Sequence, residues 1–118
     1  MVVIRHPRRG HLYWVNIPSE PSRKRRPALV VSIDVRNRLA NDVMVVPAST
    51  VLRKAPTHVR LRRRQGGVPR ASVLKCEQLT TIPKALLSNV PLGGRLSAKL
   101  MLDVEKAILR AIGVPIPA

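Results

Sequence analysis

Phe is absent from this chain, and Tyr13 and Trp14 are its only Tyr and Trp beside a total lack of other aromatic rings of that class. A packed interior must therefore come from Val, Leu, Ile and Ala. Val-rich runs favour strands, because a branched Cβ suits a pleated, half-buried surface. Five such runs recur, at Leu12–Ile17, Ala28–Ile33, Val43–Val46, Val59–Leu61 and Ser72–Cys76, each short and bounded by Pro, Gly or charged residues. With no long helix between them, they predict an antiparallel sheet or a small β-barrel. Asp34 is placed to cap one or two helical turns between the second and third strands. One longer helix is expected near the C-terminal end. Ser97 is its N-cap, Leu96 staples onto Met101, and Leu100, Met101, Val104, Ile108, Ala111 and Ile112 form its apolar face. Gly113 stops it and Pro115 bars a restart. The length fits one domain, residues 1–118, with no internal repeat and no dividing linker.

Charge narrows the function. The chain has 22 Lys and Arg against 6 Asp and Glu, a formal net charge of +16. Such a surface repels itself when compact and is stabilised by a polyanion, most commonly a phosphodiester backbone. An apolar content of 45% sets the chain apart from a disordered basic tail. No apolar run reaches the roughly 18 residues of a spanning helix, and Met1–Pro7 lacks a signal-peptide core. A single cysteine, Cys76, makes no internal disulfide. These features lead to the expectation of a cytoplasmic protein with no membrane partner. The cations gather in three runs: Arg23-Lys24-Arg25-Arg26, Arg53-Lys54, and Arg60 with Arg62-Arg63-Arg64. One such run is an ordinary solvated loop; three on one small sheet suggest a phosphate-binding surface.

The six acids are scattered, there is no phosphate-binding glycine loop, and His6, His11 and His58 lack ligand spacing with Cys76. No metal and no cofactor are expected, so hydrolytic chemistry would have to run without an ion. RNA permits this, because its own 2′-OH attacks the adjacent phosphorus and expels the 5′-oxygen. The protein then supplies alignment, charge stabilisation and proton transfer. A guanidinium fork suits charge stabilisation, and a neighbouring hydroxyl adds a donor. Two segments carry these groups: Lys24-Arg25-Arg26-Pro27-Ala28-Leu29-Val30-Val31-Ser32 and Val45-Val46-Pro47-Ala48-Ser49-Thr50. Taken singly, Arg26 serves equally well as a surface ion-pair partner, Ser49 more readily caps a turn, and His58 is more simply a strand residue. Trp14 fits a core or dimer-interface position, and Cys76 a small core residue.

In order and spacing, the chain resembles the MazF/PemK family of toxin endoribonucleases. The matching segments are Arg8–Val15, Arg25–Ser32, Val45–Thr50, Pro56–Val59 and Ser72–Ile82, spread over about residues 8 to 112. The resemblance implies an SH3-like, CcdB/MazF-like small antiparallel barrel with a short helix and a C-terminal helix, usually in a homodimer. It implies an mRNA interferase that cleaves single-stranded RNA at short motifs, leaving 2′,3′-cyclic phosphate and 5′-OH ends. Its catalytic Arg falls on Arg26, and its catalytic Thr or Ser on Ser49, with Thr50 adjacent. Glu20, Arg23, Lys24, Arg25, Arg53, Lys54 and His58 are the expected RNA-binding residues. A cognate acidic antitoxin is implied, and contact with DNA only through it. Three features depart from the family pattern: His11 replaces the common Asp, Thr80 stands where an Arg is usual, and the first loop is short and basic. Glu20, His11 and His58 are candidates to assist proton transfer. The competing readings are a non-catalytic CcdB-like gyrase inhibitor, an RNA-binding module on the same fold, and a ribosome-associated basic protein.

Overall fold

The computed structural model describes residues 6–16 and 25–117. In chain order they form β1 (Leu12–Asn16), β2 (Arg25–Val30), α1 (Asp34–Leu39), β3 (Asp42–Ser49), β4 (His58–Leu61), β5 (Ser72–Lys75), β6 (Thr80–Pro83) and α2 (Ala98–Ala111). Short 3-10 turns lie at Gln65–Gly67, Cys76–Gln78 and Lys84–Leu86. The strands pair antiparallel in the order β1-β2-β3-β5-β4, with β6 also on β3.

β3 is the shared strand. Val45–Pro47 pair with Val30–Ala28 of β2, Asp42–Val45 with Pro83–Thr80 of β6, and Ala48 and Ser49 with Leu74 and Val73 of β5. Pro47, which has no N–H to donate, falls where β3 passes from β6 to β5. Residues 87–96 run beside β1. Val15 bridges Leu87, the Ser88 N–H reaches Trp14 O at 2.8 Å, Leu92 N–H reaches Leu12 O at 2.8 Å, and Leu96 N–H reaches Gly10 O at 2.9 Å. The sheet is thus barrel-like without being closed by a full strand pair.

Strand alternation separates two cores. Leu12, Leu29, Val46, Ala48, Val59, Leu61 and Leu74 point into the larger one, where Met101, Val104 and Ala107 of α2 meet them. Tyr13, Val15, Ala28, Val30, Val43 and Val45 point the other way and pack with Leu87. Ser97 caps α2 by accepting the Leu100 N–H at 3.1 Å, and Leu96 and Met101 are both buried in the larger core. The expected apolar face holds through Ile108, but Ala111 and Ile112 are exposed because the last turn runs past the sheet.

Three features differ from the sequence expectations. β2 starts at Arg25, three residues early, because Arg25, Arg26 and Pro27 find partners in Asn16, Val15 and Trp14. β6 was not anticipated. Asp34 is the first residue of α1 and not its cap; its carboxylate accepts the Arg9 N–H at 2.8 Å. The C-terminal end of α1 is held from outside, since Lys84 Nζ donates to the carbonyls of Asn37 at 2.6 Å and Ala40 at 2.8 Å. The turn before β5 needs Gly67: its φ is +90°, and a Cβ there would lie 2.4 Å from the Leu92 carbonyl.

Leu74 is fully buried beside the β3–β5 pairing. Leu74→Ala should lower unfolding free energy by about 3 kcal/mol, read from urea denaturation. A loss below about 1 kcal/mol would contradict this placement of the core.

Candidate active site

The β2–β3 register places Ala28 opposite Pro47. Arg26 and Ser49 each lie two residues beyond that pair in the same register, so strand alternation returns both to one face. β1 brings Trp14 opposite Pro27, and β5 brings Val73 opposite Ser49. The result is a cavity of about 330 Å³ lined by Trp14, Arg25, Arg26, Pro27, Ala48, Ser49, Thr50, Pro69, Arg70 and Ser72. Arg25, Arg26, Ser49 and Thr50, separated by more than twenty positions in the chain, therefore meet at one opening.

The lining is cationic, with three guanidinium groups and no carboxylate among the described residues. Arg25 lies over the Trp14 ring, 5.0 Å from its centroid, in cation–π contact. Ser49 Oγ accepts the Val51 N–H at 3.1 Å, which fixes the hydroxyl and leaves its proton for donation. Ser72 is buried, and its hydroxyl donates to the Arg70 carbonyl at 2.9 Å. Such a site can clamp a phosphodiester group with guanidinium forks and donate a hydroxyl proton to charge developing on it.

The other expected site residues lie elsewhere. Glu20, Arg23 and Lys24 fall outside the described residues. Arg53 and Lys54 are exposed on the segment after β3 and do not line the cavity. His58 does not line it either. Its Nε2 faces Glu77 Oε2 at 3.1 Å and its Nδ1 faces the Arg53 carbonyl at 3.2 Å, so both ring nitrogens are engaged. His11 Nδ1 lies 3.2 Å from the Gly93 carbonyl, also away from the cavity lining. Trp14, read from sequence as core or dimer interface, is half-buried at the mouth of the site. Arg70 and Ser72 carry no sequence signal of their own; only the β3–β5 register brings them beside Ser49.

Two ionisable groups depart from ordinary behaviour. Burial, and to a lesser degree the charge of Glu77, pushes the Cys76 thiol up to about 12, so it remains a neutral core group. For Glu77, burial opposes ionisation, but hydrogen bonds from its own backbone N–H, His58 and Thr57 outweigh it and hold the carboxyl below the usual glutamate range. Among the described residues, no three His, Cys, Asp or Glu side chains gather as a metal site, and no helix is long and apolar enough to cross a membrane.

The chain matches the family described as PemK-like, MazF-like toxin of type II toxin-antitoxin system over residues 8–112. It is 31% identical over 87 residues to endoribonuclease EndoA of Bacillus subtilis, covering 70% of this chain and 75% of that one. It is 32% identical over 111 residues to endoribonuclease MazF6 of Mycobacterium tuberculosis, covering 88% and 95% respectively. Its fold superposes with a TM-score of 0.78 on a mycobacterial endoribonuclease solved in complex with its cognate antitoxin, at 28% identity and covering 94% and 99% of the two chains.

Because the folded carboxyl of Glu77 titrates below its unfolded value, its contribution to stability is full above the ordinary glutamate range. It is lost as pH falls through the lowered folded value. Glu77→Gln should therefore lower stability slightly at neutral pH, converge with wild type in acid, and so flatten the acid limb by the same small amount, since the pair is partly exposed. Parallel curves for the two proteins in urea unfolding between about pH 5 and pH 3 would contradict it.

Proposed function

The chain belongs to the PemK-like, MazF-like toxins of type II toxin–antitoxin systems, and from that premise we propose that it is a metal-independent mRNA interferase whose active site is the Arg26–Ser49 cavity. The observation that carries this reading is the convergence of Arg25, Arg26, Ser49 and Thr50 on one cationic opening. A single RNA strand enters with the scissile phosphate against Arg26. The 2′-oxygen attacks phosphorus, the bond to the 5′-oxygen breaks, and the products carry a 2′,3′-cyclic phosphate and a 5′-OH. Arg26 stabilises charge on the non-bridging oxygens. Ser49 donates its hydroxyl to the same group, with Thr50 beside it. The described lining holds no imidazole or carboxylate, so its share of catalysis is alignment and charge stabilisation. Trp14, with Arg25 over its ring, offers an aromatic platform beside the scissile phosphate.

The reading extends to partners. An acidic, disordered antitoxin segment is the natural cover for a +16 surface, contact with DNA comes only through that antitoxin, and the protein acts in the cytoplasm. A homodimer is supported by a band of exposed apolar side chains. Leu102 and Leu109 of α2, and Ile112 just after it, lie on the side of Glu105, and Ile33 and Val35 flank Asp34. Arg9 joins the two groups by bonding both Glu105 and Asp34. Exposed apolar side chains on two neighbouring elements favour association with a second copy.

Arg26→Ala should lower the cleavage rate on single-stranded RNA by about 100- to 1000-fold with the fold intact by circular dichroism. EDTA should leave the wild-type rate unchanged, and 2′-deoxy strands should not be cut. Near-normal turnover by Arg26→Ala, or cleavage of a 2′-deoxy strand, would refute the mechanism. Light scattering should give a dimer mass that Leu109→Lys with Ile112→Lys reduces to a monomer; an unchanged dimer would move the interface elsewhere.

A further inference from the structure

A second, larger groove of about 730 Å³ lies between β4 and α2 and is absent from the mechanism above. Arg60 and Arg62 line it from β4 and its exit, and Lys106 and Arg110 line it from α2. None of these four side chains is paired with a carboxylate among the described residues. Of the other polar residues on its wall, Lys99 bonds Asp103 at 3.3 Å, and His58 bonds Glu77. The groove therefore presents four uncompensated positive charges. From Lys99 to Arg110 it follows α2 for about 17 Å, at a rise of about 1.5 Å per residue.

The loop between β4 and β5 joins this groove to the cleavage cavity. Its first limb puts Arg62 and Gln65 on the groove wall, and its last puts Pro69 and Arg70 on the cavity wall. Arg63 and Arg64 are exposed between them. The loop is held in shape rather than trailing. Arg62 N–H reaches Gln65 Oε1 at 2.7 Å, Arg64 N–H reaches the Val68 carbonyl at 2.8 Å, and Gly67 packs directly against Leu92. The loop thus carries Arg62, Arg63 and Arg64 at the groove end and Arg70 at the cavity end.

We propose that the β4–α2 groove binds the phosphodiester backbone of the same RNA strand whose scissile phosphate occupies the Arg26–Ser49 cavity, with residues 62–70 as the bridge. The inference rests on the endoribonuclease reading and adds a track for flanking nucleotides. An acidic peptide is the rival occupant. Val59 and Ala107 are buried beneath the charges, 8% and 1% exposed, which leaves Leu100, Pro56 and Pro117 as the accessible apolar lining, against four unpaired cations that suit repeated phosphates. A backbone of regularly spaced phosphates needs only the cations. On α2, Lys106 borders the apolar face that carries Leu102 and Leu109, while Asp103 and Arg110 lie farther round the helix, so the groove and the apolar face are adjacent.

The test uses the triple variant Arg60→Gln, Lys106→Gln, Arg110→Gln of the full chain. The probes are 2′-O-methyl RNA strands, which lack the nucleophile, of about fifteen and about five nucleotides. On the longer strand, Kd by fluorescence anisotropy should rise about tenfold or more, and the slope of log Kd against log salt should fall by about two. On the shorter strand, Kd and the cleavage rate of the matching RNA should be unchanged. An unaltered salt slope on the longer strand would overturn the proposal. So would an equal loss on both lengths, or a variant that keeps RNA affinity but loses a poly-glutamate peptide. A wild-type protein that binds in this length-dependent way yet cuts no RNA would support the groove and refute the cleavage reading, so the two remain distinguishable.

Discussion

One strand with three partners organises this molecule. β3 pairs with β2, β6 and β5 in turn, and each pairing has a separate consequence. The β2 contact aligns Ala28 with Pro47 and so brings Arg26 and Ser49 onto a common face. The β5 contact delivers Arg70 and Ser72 to the same opening. The β6 contact helps enclose the smaller core. Because a one-residue slip in any of these registers would turn every side chain to the opposite face, the site and both cores are specified by the same hydrogen bonds. Serine and arginine at strand ends are positioned by the ladder itself, which holds them more firmly than a loop would.

The absence of Phe explains how such a small chain buries both faces of a sheet. Side chains of Val, Leu and Ala are compact and stiff, and they pack on either side of β2 and β3 without wide spacing. The same composition leaves few residues able to stack on a base. Trp14 is the sole indole, and it lies beneath Arg25 at the cavity mouth, half-buried and outside both cores.

Much of this was legible before any coordinates. The Val-rich runs mark five of the six strands, Ser97 and Gly113 bracket α2, and the two segments containing Arg26 and Ser49 do converge. What could not be read has a common cause: it depends on partners distant in sequence. Thr80–Pro83 shows no apolar alternation and contains a proline, so it becomes a strand only because β3 offers it a ladder. Arg25 and Arg26 extend β2 only because β1 lies opposite. Trp14, Arg70 and Ser72 join the site through registers that no local pattern encodes. His58, expected to contact RNA, lies away from the Arg26–Ser49 cavity on the wall of the β4–α2 groove, where Glu77 and the Arg53 carbonyl hold its ring.

β4 is the last strand in the sheet order, and such a rim is where Val-rich proteins are most prone to grow by adding foreign strands. Its outward positions are His58 and Arg60, followed at once by Arg62, Arg63 and Arg64. Stacking a second copy against that rim would crowd guanidinium groups together with nothing between them to neutralise the repulsion. Charged side chains at such a rim disfavour edge-to-edge pairing of strands, and the arginines give this exposed edge that character.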